Sequence, residues 1–139
     1  TRDPRGAIKK IHSLLRAHGV LSIETPDTDS WDFGLFKRRY WGGYHIPRHF
    51  YIFNKASLCL LLDQEGFEVI SCKNMLSPVF WIHSARNFLI DNRRLKKFSV
   101  FFHYQNPFLL AVAACIDLIQ VVLAAKSSNL QIVARKKGA

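Results

Sequence analysis

Apolar residues recur at helical spacing from the start of the chain. Ile8, Ile11, Leu14 and Leu15 share one face of a helix expected over residues 4–17. Asp3 is a good N-cap, Pro4 suits the first helical position, and Gly19 is placed to end the helix. The pattern then changes. Val20-Leu21-Ser22-Ile23 is too short and too apolar for an amphipathic helix, and fits a strand buried on both faces of a parallel sheet. A second helix is expected over 55–65, with Asn54 as cap, Leu58, Leu61 and Leu62 inward, and Gly66 as its stop. Phe67–Cys72 alternates as a strand. Leu130–Ala134 makes a last one, trailing into the basic Arg135-Lys136-Lys137.

Two stretches do not fit this alternation. Residues 25–53 form a long loop with one short helical turn near Trp31–Phe36. A loop of that length in a compact domain is functional or disordered. Its density of aromatics argues for a lid or binding loop. Residues 79–97 suggest a helix or two ending in Arg93-Arg94-Leu95-Lys96-Lys97, and Phe98–Ala125 is nearly all apolar. Within Phe108–Ala125 the strongly polar residues are Asp117 and Gln120. With Ala113 and Ala124 they form one narrow polar-and-small stripe on a greasy helix. Three readings stay open for this helix. It is packed against protein, it lies in a membrane interface beside the 93–97 cations, or it spans a bilayer. A span would place Asp117 near the bilayer centre, at a cost of about 2.5–3.5 kcal/mol.

The 139 residues suit one domain with a real core, and 49% apolar composition excludes wholesale disorder. Twenty Lys and Arg against ten Asp and Glu give a net charge of +10. That excess favours an anionic partner, or else serves solubility alone. Cys59, Cys72 and Cys115 lie far apart among apolar neighbours and read as reduced core residues of a cytosolic protein. No metal-ligand spacing joins them to the histidines, so no metal is expected. The opening Thr-Arg-Asp-Pro-Arg-Gly has none of the apolar run of a signal peptide.

Chains of alternating strands and helices place their chemistry beyond the carboxyl ends of strands. Here that is Glu24-Thr25-Pro26 and the loop after it. His45 and His49 are the candidate catalytic bases, because imidazole titrates near working pH. Arg48 between them suits a carboxylate or phosphate. Glu24, Trp31, Trp41, Tyr44 and Arg48 are the candidate substrate-binding residues. The structural alternative is that Pro47-Arg48-His49 merely pins the loop, with Glu24 ion-paired to Arg48. Asp27 and Asp29 are expected in Asx-type turns.

Two blocks of sequence carry a family resemblance: Gly19-Val20-Leu21-Ser22-Ile23-Glu24-Thr25-Pro26-Asp27, then Pro47-Arg48-His49-x-x-x-Phe53 ahead of a helix. Over residues 4–75, with a weaker echo at 129–137, the chain resembles the C-terminal half of class I S-adenosylmethionine-dependent methyltransferases. Within that class it is most similar to the branch related to quinone-biosynthesis O-methyltransferases. The resemblance implies an α/β fold: the C-terminal part of a Rossmann-like methyltransferase sheet, three strands with flanking helices, plus an apolar helical insertion. Residues 1–75 would be the helix-strand-loop-helix-strand part, 76–128 the insertion, and 129–139 the last strand and basic tail. In the family the last two strands are joined by a short hairpin, and residues 76–128 depart from that pattern. The family's seventh strand lies between its fifth and sixth, and its fifth strand's other edge pairs with a fourth that has no counterpart here. The outer edge of Val20–Ile23 is therefore expected to be covered by another chain, paired in a dimer, or left exposed and aggregation-prone.

The family holds its cofactor with a glycine-rich loop, yet the sequence contains no Gly-x-Gly-x-Gly, and Gly42-Gly43 follows aromatics rather than a strand. The first reading is therefore the substrate-side half of a methyltransferase. In the intact protein it would use S-adenosylmethionine on a small or lipid-like acceptor. The second is a non-catalytic, basic, aromatic-rich module that binds a membrane surface or a partner chain. Nucleic acid is disfavoured, because no recognition motif accompanies the aromatics and cations at 37–51. The expected location is cytoplasmic, with the apolar stretch raising peripheral membrane attachment.

Overall fold

The structure, a computed structural model, describes residues 2–37, 39–44 and 50–138. Three strands form one sheet: β1 (Val20–Pro26), β2 (Phe67–Met75) and β3 (Asn129–Lys136). Their order is β1-β3-β2, and β3 runs antiparallel to both neighbours. Val20 pairs with Arg135 and Pro26 with Asn129 on one side, and Phe67 with Lys136 and Met75 with Asn129 on the other. A bulge between Val69 and Ser71 interrupts the second ladder. The last strand thus lies between the other two, the arrangement the resemblance implied.

Helix α1 (Pro4–Leu14) and helix α3 (Lys55–Gln64) bring Ile8, Leu58 and Leu62 onto Phe67, Leu130, Ile132 and Ala134 of the sheet, and this cluster is the core. Asp3 caps α1 by accepting the Gly6 N–H at 2.8 Å. Asn54 and Ser57 form a reciprocal capping box at the start of α3. Gly66 follows with φ of 82°, a left-handed turn that costs glycine nothing.

Four expectations change. Helix α1 stops at Leu14, which is 72% exposed, and Leu15 beyond it packs on the core instead. The left-handed residue after α1 is His18, with φ of 61°, while Gly19 donates its N–H to the Arg16 carbonyl at 2.9 Å. Strand β1 is not buried on both faces: Val20, Ser22 and Glu24 are exposed and alternate with half-buried Leu21 and Ile23. One side of the sheet carries the core. The other presents Ser22, Glu24, Glu68 and Arg135 to solvent, and polar residues tolerate that face. Cys59 and Cys72 are half-buried free thiols, but Cys115 is exposed rather than part of the core.

Beyond β2 come helix α4 (Pro78–Asp91), a 3-10 segment at Lys96–Phe101 and helix α5 (Pro107–Ala124). Asn106 caps α5 through the N–H groups of Phe108 and Leu109. Helices α4 and α5 pack on each other. The buried residues of α5 are Ala113, Asp117 and Gln120, so the polar-and-small stripe faces inward. The apolar remainder faces out, with Phe108, Val122 and Leu123 each more than 70% exposed.

Candidate functional site

Strand β1 ends in Glu24-Thr25-Pro26, and the loop that follows is fastened at its base. Asp27 donates its N–H to the Ser128 carbonyl at 3.1 Å, and Thr28 donates to the Phe53 carbonyl at 3.1 Å. Asp27 and Phe53 also form an isolated parallel bridge. The Asp27 carboxylate accepts the Asp29 N–H at 2.9 Å, the Asx turn expected of it. Ser30 then caps helix α2 (Trp31–Phe36). Chain leaving β1 and chain returning to α3 are therefore tied at one point.

Inside that loop a buried polar layer does the holding. The Trp41 indole Nε1 donates to Asp32 at 2.7 Å, and both residues are essentially inaccessible. Phe33, Tyr44 and Phe80 ring Trp41 edge-on, with centroids 4.9, 5.3 and 6.3 Å away. Gly42 starts a 3-10 turn (Gly42–Tyr44) and donates its N–H to Ser84 of α4 at 2.7 Å. A Cβ on Gly42 would lie 2.5 Å from the Phe80 carbonyl oxygen, so only glycine permits this approach. The same layer reaches α5: Gln120 accepts the Trp31 N–H at 3.0 Å. Asp117 accepts from Ser77 N–H at 2.5 Å, from Ser128 N–H at 3.2 Å, from Ser128 Oγ at 3.0 Å and from the Gln120 amide.

Burial pushes the Asp32 carboxyl above the usual carboxylate range, against the Trp41 hydrogen bond and the nearby Ser30 and Ser128 hydroxyls, which favour its charge. Among the described residues one Asp32 oxygen has no hydrogen-bond partner. Asp27 is likewise raised, chiefly by desolvation.

Two clefts flank this frame at the end of β1. The first, about 200 Å³, is floored by Ile23, Glu24 and Thr25, walled by Pro4 and Ala7 of α1, and rimmed by Phe50 and Tyr51. Glu24 stands exposed at its side and accepts a hydrogen bond from Gln131 Nε2 at 3.2 Å across the β1–β3 ladder. The second, about 250 Å³, is more polar and brings together Asp27, Asp29, Lys55, Asn74 and Lys126 at the carboxyl ends of β1 and β2. Sequence reasoning passed over this second group, because its members come from four separate segments. Among the described residues no His, Cys, Asp and Glu cluster suits a metal ion.

The candidate residues thus part company. Glu24 lines the first cleft, next to Phe50 and Tyr51. Trp31 is exposed on α2, and its backbone N–H is tied to Gln120 of α5. Trp41, 1% exposed, is the packing centre of the loop and presents no surface to a ligand. Tyr44 is half-buried, with its hydroxyl donated to the Lys37 carbonyl. His45, Arg48 and His49 lie outside the described residues; in sequence they lead directly into Phe50 at the cleft rim.

An α/β chain with this sheet order, and with its loop beyond the strand end, has the architecture of a methyltransferase fold. The methyltransferase-domain family profile matches residues 1–72, just over half of the 139, and the chain belongs to that family. Its structure is similar to the crystal structure of the [4+2]-cyclase SpnF, with a TM-score of 0.50 and 18% identity. The likeness covers 98% of this chain and 45% of that one, so this chain spans less than half the length of that structure. At such identity the likeness is one of fold. No curated protein matches the sequence significantly.

Methyltransferase domains in general depend on S-adenosylmethionine, and the described residues do not fit it. The sole adjacent glycine pair, Gly42-Gly43, is buried beneath α4 rather than open as a cradle. None of the three strands leads into a glycine-rich turn ahead of a helix.

Proposed function

We propose that this chain is the acceptor-side portion of an S-adenosylmethionine-dependent methyltransferase. In the intact protein it would present a small or lipid-like acceptor for methylation. The observation that carries the reading is the cleft at the end of β1. It sets an apolar wall, with Ala7 and Ile23, against an aromatic rim, Phe50 and Tyr51, at the end of the strand. An apolar body with few polar groups matches that lining. His45 and His49 are the bases proposed to take the acceptor proton, and Arg48 is proposed to hold an acidic group on it. Positioning supplies most of what such a site contributes to rate. The open outer edge of β1 is where further strands of the sheet are proposed to join.

Calorimetric titration of the folded 139-residue chain with S-adenosylmethionine and S-adenosylhomocysteine tests the division of labour. The expected result is no heat from the chain alone and restored binding when a cofactor-binding segment is joined to it. One-to-one binding by the chain itself would overturn the proposal.

A further inference from the structure

Helix α5 is inverted relative to the helices of a water-soluble domain. An amphipathic surface helix turns its apolar stripe to the core and its polar side to solvent. Here Asp117 and Gln120 are wholly buried and fully engaged, while Phe108, Leu118, Val122 and Leu123 face out. The 18-residue helix has a mean hydropathy of 2.3. At 1.5 Å per residue its greasy side extends about 27 Å. The 3-10 segment before it adds exposed Phe98, Val100 and Phe101, and α4 adds Phe88 and Ile90. An apolar groove of about 430 Å³ between α2 and α4, lined by Leu35, Phe88 and Phe102, continues the surface. Phe102 also meets Leu109 and Val112 of α5 around a smaller cavity. Single exposed apolar residues are ordinary; a continuous surface of this size marks an interaction site.

Charge decides between occupants. Residues 76–126 hold six cations, Arg86, Arg93, Arg94, Lys96, Lys97 and Lys126, against two acids. Both acids are already engaged. Asp117 is bonded inside the fold, and Asp91 is paired with Arg39 at 3.1 Å and with the Tyr40 hydroxyl at 2.6 Å. The four cations at 93–97 are exposed and run straight into the apolar 3-10 segment, with Lys97 Nζ 5.2 Å from the Phe98 ring centroid. A second copy of this chain would bring the same cations face to face across a two-fold axis. An anionic lipid surface supplies both the apolar depth and the opposite charge.

We propose that the α4–α5 surface docks in the interfacial layer of an anionic bilayer, with α5 lying in the membrane plane rather than crossing it. The in-plane geometry follows from the polar stripe. At mid-helix, Asp117 is bonded to Ser77, just after β2, and to Ser128, just before β3. Gln120 is bonded to the backbone of Trp31. Crossing would strip these groups from the sheet domain and expose a carboxylate to hydrocarbon. Lying flat keeps every one of those bonds and wets only the apolar side with lipid. This inference stands apart from the methyl-transfer reading.

The test is flotation of the full chain with phosphatidylcholine vesicles and with vesicles doped with phosphatidylglycerol, at low and raised salt. Binding is expected to the anionic vesicles and to weaken with salt. Replacing Arg93, Arg94, Lys96 and Lys97 by Gln should lower partitioning by roughly fivefold per cation. The double variant Val122→Glu, Leu123→Glu should lower it by at least about tenfold. All these side chains are exposed, so circular dichroism and the unfolding midpoint should be unchanged in both variants. Failure to float with anionic vesicles at low salt overturns the proposal. So does a dimer in sedimentation equilibrium that the glutamate variant dissociates, which would assign the face to a second copy. Bound protein that resists alkaline carbonate extraction would overturn the in-plane placement.

Discussion

Gln120 of α5 accepts the backbone N–H of Trp31 at 3.0 Å while its own amide nitrogen donates to Asp117. One side chain therefore fastens the loop after β1 to the last helix before β3, across 89 positions of sequence. The carboxylate behind it gathers donors from Ser77 and Ser128 as well. Removing that carboxylate leaves several buried donors without an acceptor, and each such orphan is costly. Asp117→Ala is expected to destabilise the fold by about 3 kcal/mol, read as a shift in the urea midpoint. A change of a few tenths would show that the network is not engaged in solution.

Asp32 gives the fold a pH dependence of definite sign. Its carboxyl is held above the ordinary carboxylate range, first by burial. The stability tied to its protonation is fully present below the unfolded carboxyl's pKa and is lost as pH rises through the folded one. The chain should thus lose thermal stability as pH rises from the ordinary carboxylate pKa through the folded one. Asp32→Asn should flatten that decline, in part only, because Asp27 is raised by burial in the same direction. Thermal unfolding across a pH series measures it, and an unaltered slope in the variant would refute the assignment.

Gly42 is a steric requirement. Its Cα faces the Phe80 carbonyl so closely that a methyl would sit 2.5 Å from the oxygen. Gly42→Ala should cost about 1–3 kcal/mol and speed limited proteolysis between residues 31 and 44. Gly34→Ala is the control: nothing lies within 4 Å of a Cβ there, and it should be neutral or slightly stabilising.

Glu24 is exposed and held by one hydrogen bond from Gln131, so its replacement should leave folding intact. Its carboxylate points to the side of the sheet away from the apolar cleft, so in the intact protein Glu24→Gln is expected to leave the KM for acceptor and the cofactor affinity unchanged, measured by methyl-transfer kinetics and calorimetry in parallel. A rise in KM would bring Glu24 into the acceptor site.

Signals confined to a few neighbouring residues were the legible ones. The capping box of α3 is written in Asn54 and Ser57, and the stripe on α5 in the spacing of Ala113, Asp117 and Gln120. Residues whose fate depends on distant partners were not. The exposed side of β1 depends on what covers it, which Val20–Ile23 alone cannot state. Trp41 reads as a loop aromatic available to a ligand until α4, some forty residues later, closes over it. The helix-ending glycine after α1 was misplaced because His18 adopts the left-handed turn itself, an option few non-glycine residues take. The first cleft was legible at Glu24 but not at Pro4 and Ala7, which join it through tertiary packing.

The strand in the centre of the sheet is also the latest of the three in the chain. Until Asn129–Lys136 has been synthesised, β1 and β2 lack the strand that joins them, and their core faces have no Leu130, Ile132 or Ala134 to cover. The long-range pairings must close over loops of many tens of residues, which makes sheet formation slow. Helix α5 leaves the ribosome before that closure, with its apolar side already uncovered. The nascent chain therefore passes through a stage at which its greasiest helix is complete and its sheet is not, an interval in which a chaperone or a lipid surface competes with aggregation for it.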